Sequence, residues 1–498
     1  MPLENIPIHS ASPPGRVPQP DTPGPLRHVP LVVCGLTLLA SCFVLSLNSR
    51  RLAAVLPKDG SLLHIFVGVE IAVAGLWLTC VYFSRRQLPR FMFLFVMLTG
   101  LLCRTILIPA PPVLSTDFNR YLWDGALICH GESPWSIAPG VAIRAGHALA
   151  SGSAIANSAL RSAALAANAS PAIMGRINHA NLATIYPPVS EAVFAFAALI
   201  KPFSIATLKA VYLAIDCTTA LLLLAILKRL RQPSGLIIIY WWNPIVINSF
   251  FNQAHMDLIA FPFLLLAVLL AVGRRAPGSL GALALAAAAK FWPVVLVPLF
   301  VQAAGPSWRR RLAEIGVFAG CFTAALLPML LSHQAGTHSL LAYGRYWHEN
   351  DGLFRLESLF WHDICGGHRW LGLPAGLWAR FTTAGLFCLF AGWLLCSALE
   401  TSTLIRKSGI LIGALFLLSP TQFPWYYTWM LVFLTIVPTW SLLAYSVTLP
   451  LYQLHNTPPG MVWLEHLPVF AAIVMEYWWW RRKALGDKPT QLAAANGD

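Results

Sequence analysis

Charge is scarce in this chain: only 11% of its 498 residues are Asp, Glu, Lys or Arg, about half the share usual in soluble domains. Metal and nucleotide signatures are missing as well. The ten cysteines form no CxxC pair, and the 14 histidines include no HExxH. No P-loop and no dinucleotide fingerprint occurs, so nothing supports a nucleotide-fuelled pump. What is abundant is apolar: 57% hydrophobic residues and a mean hydropathy of +0.65. These residues come in runs, which fits one helical membrane body better than several soluble domains.

A hydrocarbon core about 30 Å thick needs roughly 20 apolar residues in a helix. Segments 30–48, 62–83, 91–109, 206–227, 235–252, 257–272, 279–289, 291–304, 313–331, 373–398, 409–420, 424–437, 439–453 and 466–480 read as spans. The expected fold is therefore all-α and polytopic, with about 12 to 14 transmembrane helices. The net charge of +14 suggests nucleic acid, but the cations do not form a single stripe. They sit in short clusters between apolar runs: Arg85, Arg86 and Arg90; Lys228, Arg229 and Arg231; Arg274 and Arg275; Arg309 to Arg311; Arg406 and Lys407; Arg481 to Lys483. That is the positive-inside pattern, so the expected partner is a membrane and not nucleic acid.

With those clusters inside, residues 1–29 are a Pro-rich, disordered cytoplasmic tail, 30–484 the membrane body and 485–498 a second cytoplasmic tail. One loop breaks the rule, since Arg50, Arg51 and Lys58 then fall outside. Two long segments, about 110–205 and 332–372, also fall outside. Within the first, the Ala-rich stretch 148–169 favours helix. The apolar run 189–200 is too short to span and reads as a helix lying in the interface. Cys129 and Cys365 lie in the two outer segments, where an oxidising exterior permits a bridge.

The stretch Ser115-Thr116-Asp117-Phe118-Asn119-Arg120-Tyr121-Leu122-Trp123-Asp124-Gly125 begins just after the third span. On a helix Asp117, Arg120, Tyr121 and Asp124 share one face. A carboxylate at the outer surface can take a proton from an attacking hydroxyl, with Arg for a phosphate and aromatics for a sugar. The same spacing also fits a local Asp–Arg pair that fixes a loop helix. A second acidic point, His255-Met256-Asp257, ends the fifth span on the same side; ionisable groups at membrane depth are functional candidates, or a buried pair holding a helix end. Lys290 interrupts an apolar run where two spans meet outside, placed either to bind phosphate or to snorkel. The second outer segment adds Arg345, and Ser419–Tyr427 adds an aromatic turn with Trp425. No residue pattern reveals a metal requirement; a divalent cation is the one cofactor left open.

The run SxDxxRYxWDG at 115–125, followed by Gly131-Glu132-Ser133-Pro134-Trp135, resembles the first outer loop of the GT-C superfamily. It is most similar there to bacterial GT87-like polyprenyl-phosphate-mannose-dependent mannosyltransferases. Ile177-Asn178-His179, Thr184-Ile185-Tyr186-Pro187-Pro188, Asn243-Pro244 with His255-Met256-Asp257, Lys290-Phe291-Trp292-Pro293 and Ser419-Pro420-Thr421 with Pro424-Trp425-Tyr426 resemble theirs in the same order. The likeness covers about 110–430. Ser133-Pro134-Trp135 departs from the Asn-Pro-Tyr often found there, which bears on sugar and acceptor.

The resemblance implies a GT-C-like fold with juxtamembrane helices in the first outer loop. It also implies inverting transfer of a hexose, mannose by analogy, from a polyprenyl-phosphate carrier to a lipid or glycan acceptor. Asp117 takes the role of base and Asp257 that of a second catalytic carboxylate; Arg120, Tyr121, Asp124, Tyr186, His255, Lys290, Arg345 and Trp425 bind substrate. The expected location is the bacterial inner membrane, multi-pass, with the site facing outward. A lipid or sugar flippase predicts broken helices and polar groups near the midplane instead. A non-catalytic membrane subunit predicts that Asp117 and Asp257 are dispensable.

Overall fold

A computed structural model describes residues 28–486, apart from 57, 274–275, 333–334, 367–368, 397–400 and 455–459. The two expected tails therefore lie almost wholly outside the described residues. Within them the chain is helical, with no strand beyond two isolated bridges.

Six helices are long and apolar enough to cross a membrane: Val29–Val55, Gly60–Phe83, Arg90–Leu107, Ile205–Arg229, Trp308–Leu330 and Ala375–Cys396. Each coincides with an expected span. Their outer faces carry exposed Leu36, Phe43, Leu47, Ile65, Phe91, Leu98 and Leu389, a surface suited to lipid rather than water. The chain is thus a helical protein with the features of a multi-pass membrane protein.

The later spans are less regular. Segment 235–252, expected as one helix, is broken into Ser234–Trp241 and Pro244–Asn252, bent by 49°. Pro244 brings no N–H to continue the first helix. Asn243 starts the second, its side chain accepting from the amides of Ile245 and Val246 and donating to Ser446 Oγ at 2.9 Å. Segment 439–453 is not a span but three short turns, Trp440–Leu443, Tyr445–Thr448 and Leu449–Leu454. Among the described residues, length and composition alone give six crossings, or seven with the bent pair, where 12 to 14 were expected. Shorter apolar helices run over Pro188–Ile200, Asp257–Val272, Pro277–Ala289 and Trp292–Ala303, and longer helices Thr401–Leu418 and Met461–Gly486 overlap the expected spans 409–420 and 466–480.

The first outer segment folds on itself. Helices Phe118–Cys129, Pro139–Ala150 and Ser158–Asn168 enclose a small core of Trp123, Leu127, Ala142, Ala163, Ala166 and Met174. The Ala-rich stretch is not one helix; it breaks before Asn157, whose side chain accepts from Leu160 N. Helix Phe118–Cys129 presses so closely on helix Pro188–Ile200 that a Cβ at Gly125 would come within 2.4 Å of Phe194 O. One face of Pro188–Ile200 is buried here and Ser190 Oγ donates to Ala289 O at 2.7 Å, while Leu199 and Ile200 stay exposed. Deeper down, Arg104 joins the third span to helix Ile205–Arg229 through Asp216 at 2.5 Å; Tyr240 also donates to Asp216. Cys129 is a free thiol, and the side chain of Cys365 lies outside the described residues.

Candidate active site

A cavity of about 740 Å³ opens where the first outer segment meets the ends of the central helices. Asp117, Arg120, Tyr121, Tyr186, His255, Asp257, Lys290 and Trp425 all line it. They come from five separate stretches of chain, so the expected side-chain set converges in space. Asp124 and Arg345 do not join it.

Asp117 occupies the N-cap position of helix Phe118–Cys129, but its side chain makes no capping bond. It turns into the cavity, where Oδ1 accepts from Asn178 Nδ2 at 2.8 Å and Oδ2 lies 3.5 Å from His255 Nδ1. Forgoing the cap costs the helix on the order of 1 kcal/mol, which leaves the carboxylate available for another task. Burial pushes the Asp117 carboxyl above the usual carboxylate range, opposed by the Asn178 hydrogen bond and the nearby Lys290 charge. The His255 ring stacks on Trp425 at 3.6 Å between centroids, and neither ring nitrogen makes a hydrogen bond.

Asp257 is placed differently. It opens a single 3-10 turn that leads into the apolar helix Ala260–Val272. Its Oδ1 takes Trp429 Nε1 at 2.8 Å and Lys290 Nζ at 3.2 Å, while the buried Oδ2 has no partner. The Asp257 side chain is 1% exposed against 29% for Asp117, so Asp117 is the accessible carboxylate. Lys290 Nζ also lies 5.1 Å from the Tyr426 ring centre. Tyr343, Trp347, Tyr426 and Trp429 complete an aromatic wall, with the Tyr343 and Tyr426 hydroxyls 2.8 Å apart. Leu114 and His179, also in the lining, hold φ near 59° and 48°. That left-handed conformation is costly away from glycine and clusters where function demands it.

Three expected placements are corrected. Arg120 does line the cavity, but its guanidinium is spent on backbone: Nη1 donates to Leu182 O at 2.9 Å and Nη2 to His179 O at 3.0 Å. It clamps the segment that carries Asn178 rather than facing a phosphate. Asp124 is fully buried in the middle of its helix, neither in the cavity nor at a helix end. It sits beside Glu191, and burial raises both carboxyls. Arg345 is exposed against the Tyr346 ring; the arginine that reaches the cavity from that region is Arg380, whose Nη2 donates to Trp347 O at 2.9 Å.

Asn178, Tyr343 and Arg380 were not singled out from the residues. Only Asn178 carried a signal, its place beside His179 ahead of the Tyr-Pro-Pro turn. Among the described residues, no three His, Cys, Asp or Glu side chains gather to hold a metal ion. Oδ1 of Asp257 is taken by Lys290 and Trp429, and its Oδ2 has no partner. The chain matches no protein-family profile, no curated protein and no solved structure.

Proposed function

We propose that the protein is a membrane glycosyltransferase of GT-C type, moving a hexose from a polyprenyl-phosphate carrier to a lipid or glycan hydroxyl. The observation that carries the reading is the pairing, in one aromatic-lined cavity at the ends of apolar helices, of an accessible carboxylate with a half-buried ammonium. Asp117 receives the acceptor hydroxyl proton as the oxygen attacks the anomeric carbon. The bond from that carbon to phosphate breaks, and the leaving phosphate keeps the electron pair beside Lys290. Attack from the face opposite the phosphate inverts the anomeric centre.

Asp257, held by Trp429, positions Lys290 between substrates. The aromatic wall presents ring faces of the kind that line sugar sites. Membrane anchoring suits a carrier whose tail stays in lipid, and the reading places the site on the outer face of a bacterial inner membrane with mannose as the first sugar to test. The broken span at Asn243 favours a flippase on its face. However, the buried Arg104 and Asp216 near the break are paired with each other, and Arg104 also donates to Gly100 O and Trp241 O.

The test is to incubate membranes that contain the protein with radiolabelled polyprenyl-phosphate mannose and polyprenyl-phosphate glucose in parallel. Label from one carrier should appear in a lipid or glycan product with inverted anomeric configuration. Label that stays on both carriers refutes transfer.

A further inference from the structure

Beside the main cavity lies a smaller chamber of about 210 Å³. The two share Leu114, Glu349, Trp425 and Tyr452, and His255, which lines only the main cavity, stacks on Trp425. The chamber's lining includes Glu70, an acid in the middle of the second apolar span. A carboxylate at that depth is costly and needs a reason. Its two oxygens take amide donors from different parts of the chain, Asn248 Nδ2 at 2.7 Å and Gln453 Nε2 at 2.9 Å. Asn248 accepts in turn from Asn252 Nδ2, whose own carbonyl takes the amide of Val113, next to Leu114. This network runs from the second span to the stretch that carries Asp117.

The chamber differs from its neighbour in its charges. Among the described residues its lining contains no Lys, Arg or His, and it carries Glu70 and Glu349. A phosphate finds no cation in this chamber, whereas the main cavity offers it Lys290. Its other polar groups are neutral amides and hydroxyls, and the Oε1 of Gln453 is buried without a partner. Carboxylate and amide oxygens beside amide donors, with Trp425 and Tyr452 for a ring face, match a neutral polyhydroxylated group. We propose that the Glu70 chamber is the acceptor subsite, binding the hydroxylated head of the acceptor while a hydroxyl extends past Trp425 towards Asp117. This rests on the transferase reading and names the acceptor chemistry as a neutral sugar or polyol.

The experiment uses the full chain in nanodiscs and a diazirine-bearing octyl β-glucoside below its micellar concentration. Photolabel should fall on peptides spanning 245–253 and 449–454, and excess decyl phosphate should not displace it. Glu70→Gln, which keeps the shape but alters the hydrogen-bond polarity, should lower labelling about tenfold, and Gln453→Leu several-fold. Label elsewhere in the wild-type protein overturns the proposal, whether or not the variants fold. So does displacement by decyl phosphate, stronger labelling by an octylamine probe, or equal labelling in both variants. If the glucoside labels the chamber while no sugar is ever transferred, the transferase reading fails and the polyol site stands. If transfer occurs with an acceptor KM unchanged in Glu70→Gln, the subsite alone fails.

Discussion

Asp117 gives up a helix cap to face a cavity, and that geometry determines what its loss should do. Asp117→Asn keeps the shape and the Asn178 contact but removes basicity, so transfer should fall by about 10² to 10⁴-fold. Donor binding should survive, because Lys290 is untouched. If Asp117→Asn keeps most activity while Asp257→Asn abolishes it, the base is misassigned. Because burial raises the Asp117 carboxyl and the Asn178 hydrogen bond opposes that rise, the acid limb of the rate profile should lie above the free carboxylate value of about 3.9. Asn178→Ala should push it further towards alkaline pH; a limb that stays put or moves to acid contradicts this.

Asp124 belongs to stability instead. Its folded carboxyl is raised by burial, so the native state holds a proton that the unfolded chain releases. The sign follows: stability is greatest at low pH and falls as pH rises through and above the ordinary carboxylate range. Asp124→Asn should flatten the fall in Tm of the purified protein between about pH 4 and pH 7 and cost transfer less than Asp117→Asn does. A steeper fall in the variant would contradict the buried-acid account. The candidate acids and Lys290 were legible because ionisable residues at span ends are rare. The role of Arg120 was not, since its partners lie about sixty residues on, and local spacing carries no trace of them.

At the scale of elements, the long spans were readable because an apolar run of about 20 residues has few other uses. The broken span was harder to read: Asn243-Pro244 sits in continuous apolar sequence, and hydropathy does not register a cap. Asn243→Ala removes three hydrogen bonds at the break and should cost roughly 1–2 kcal/mol, read as a lower Tm in detergent. Segment 439–453 misled for the same reason, since an apolar run can also pack as buried turns. Sidedness follows from the basic clusters and can be checked directly. His348 is exposed in the second outer segment and Lys228 is exposed at the end of helix Ile205–Arg229. In intact cells an impermeant maleimide should reach a cysteine at 348 and not one at 228; Asn350 is a poor probe because it is buried. The reverse pattern would turn the site inward.

For the whole molecule, the proposed function requires that five distant stretches of chain assemble one place where a sugar–phosphate bond is broken, rather than a path that carries a lipid across. The ordering of the motifs along the chain hinted at that assembly, but only the fold places an ammonium, two carboxylates and the aromatic wall around one cavity. The most direct test reconstitutes the purified protein in proteoliposomes. A labelled polyprenyl-phosphate sugar and a lipid glycoside acceptor are supplied, and chemical transfer and lipid movement are measured in the same vesicles. Covalent transfer by the wild type, lost in Asp117→Asn while carrier binding is retained, is the predicted result. Intact carrier crossing the bilayer with no new glycosidic bond, equally in both proteins, would contradict it.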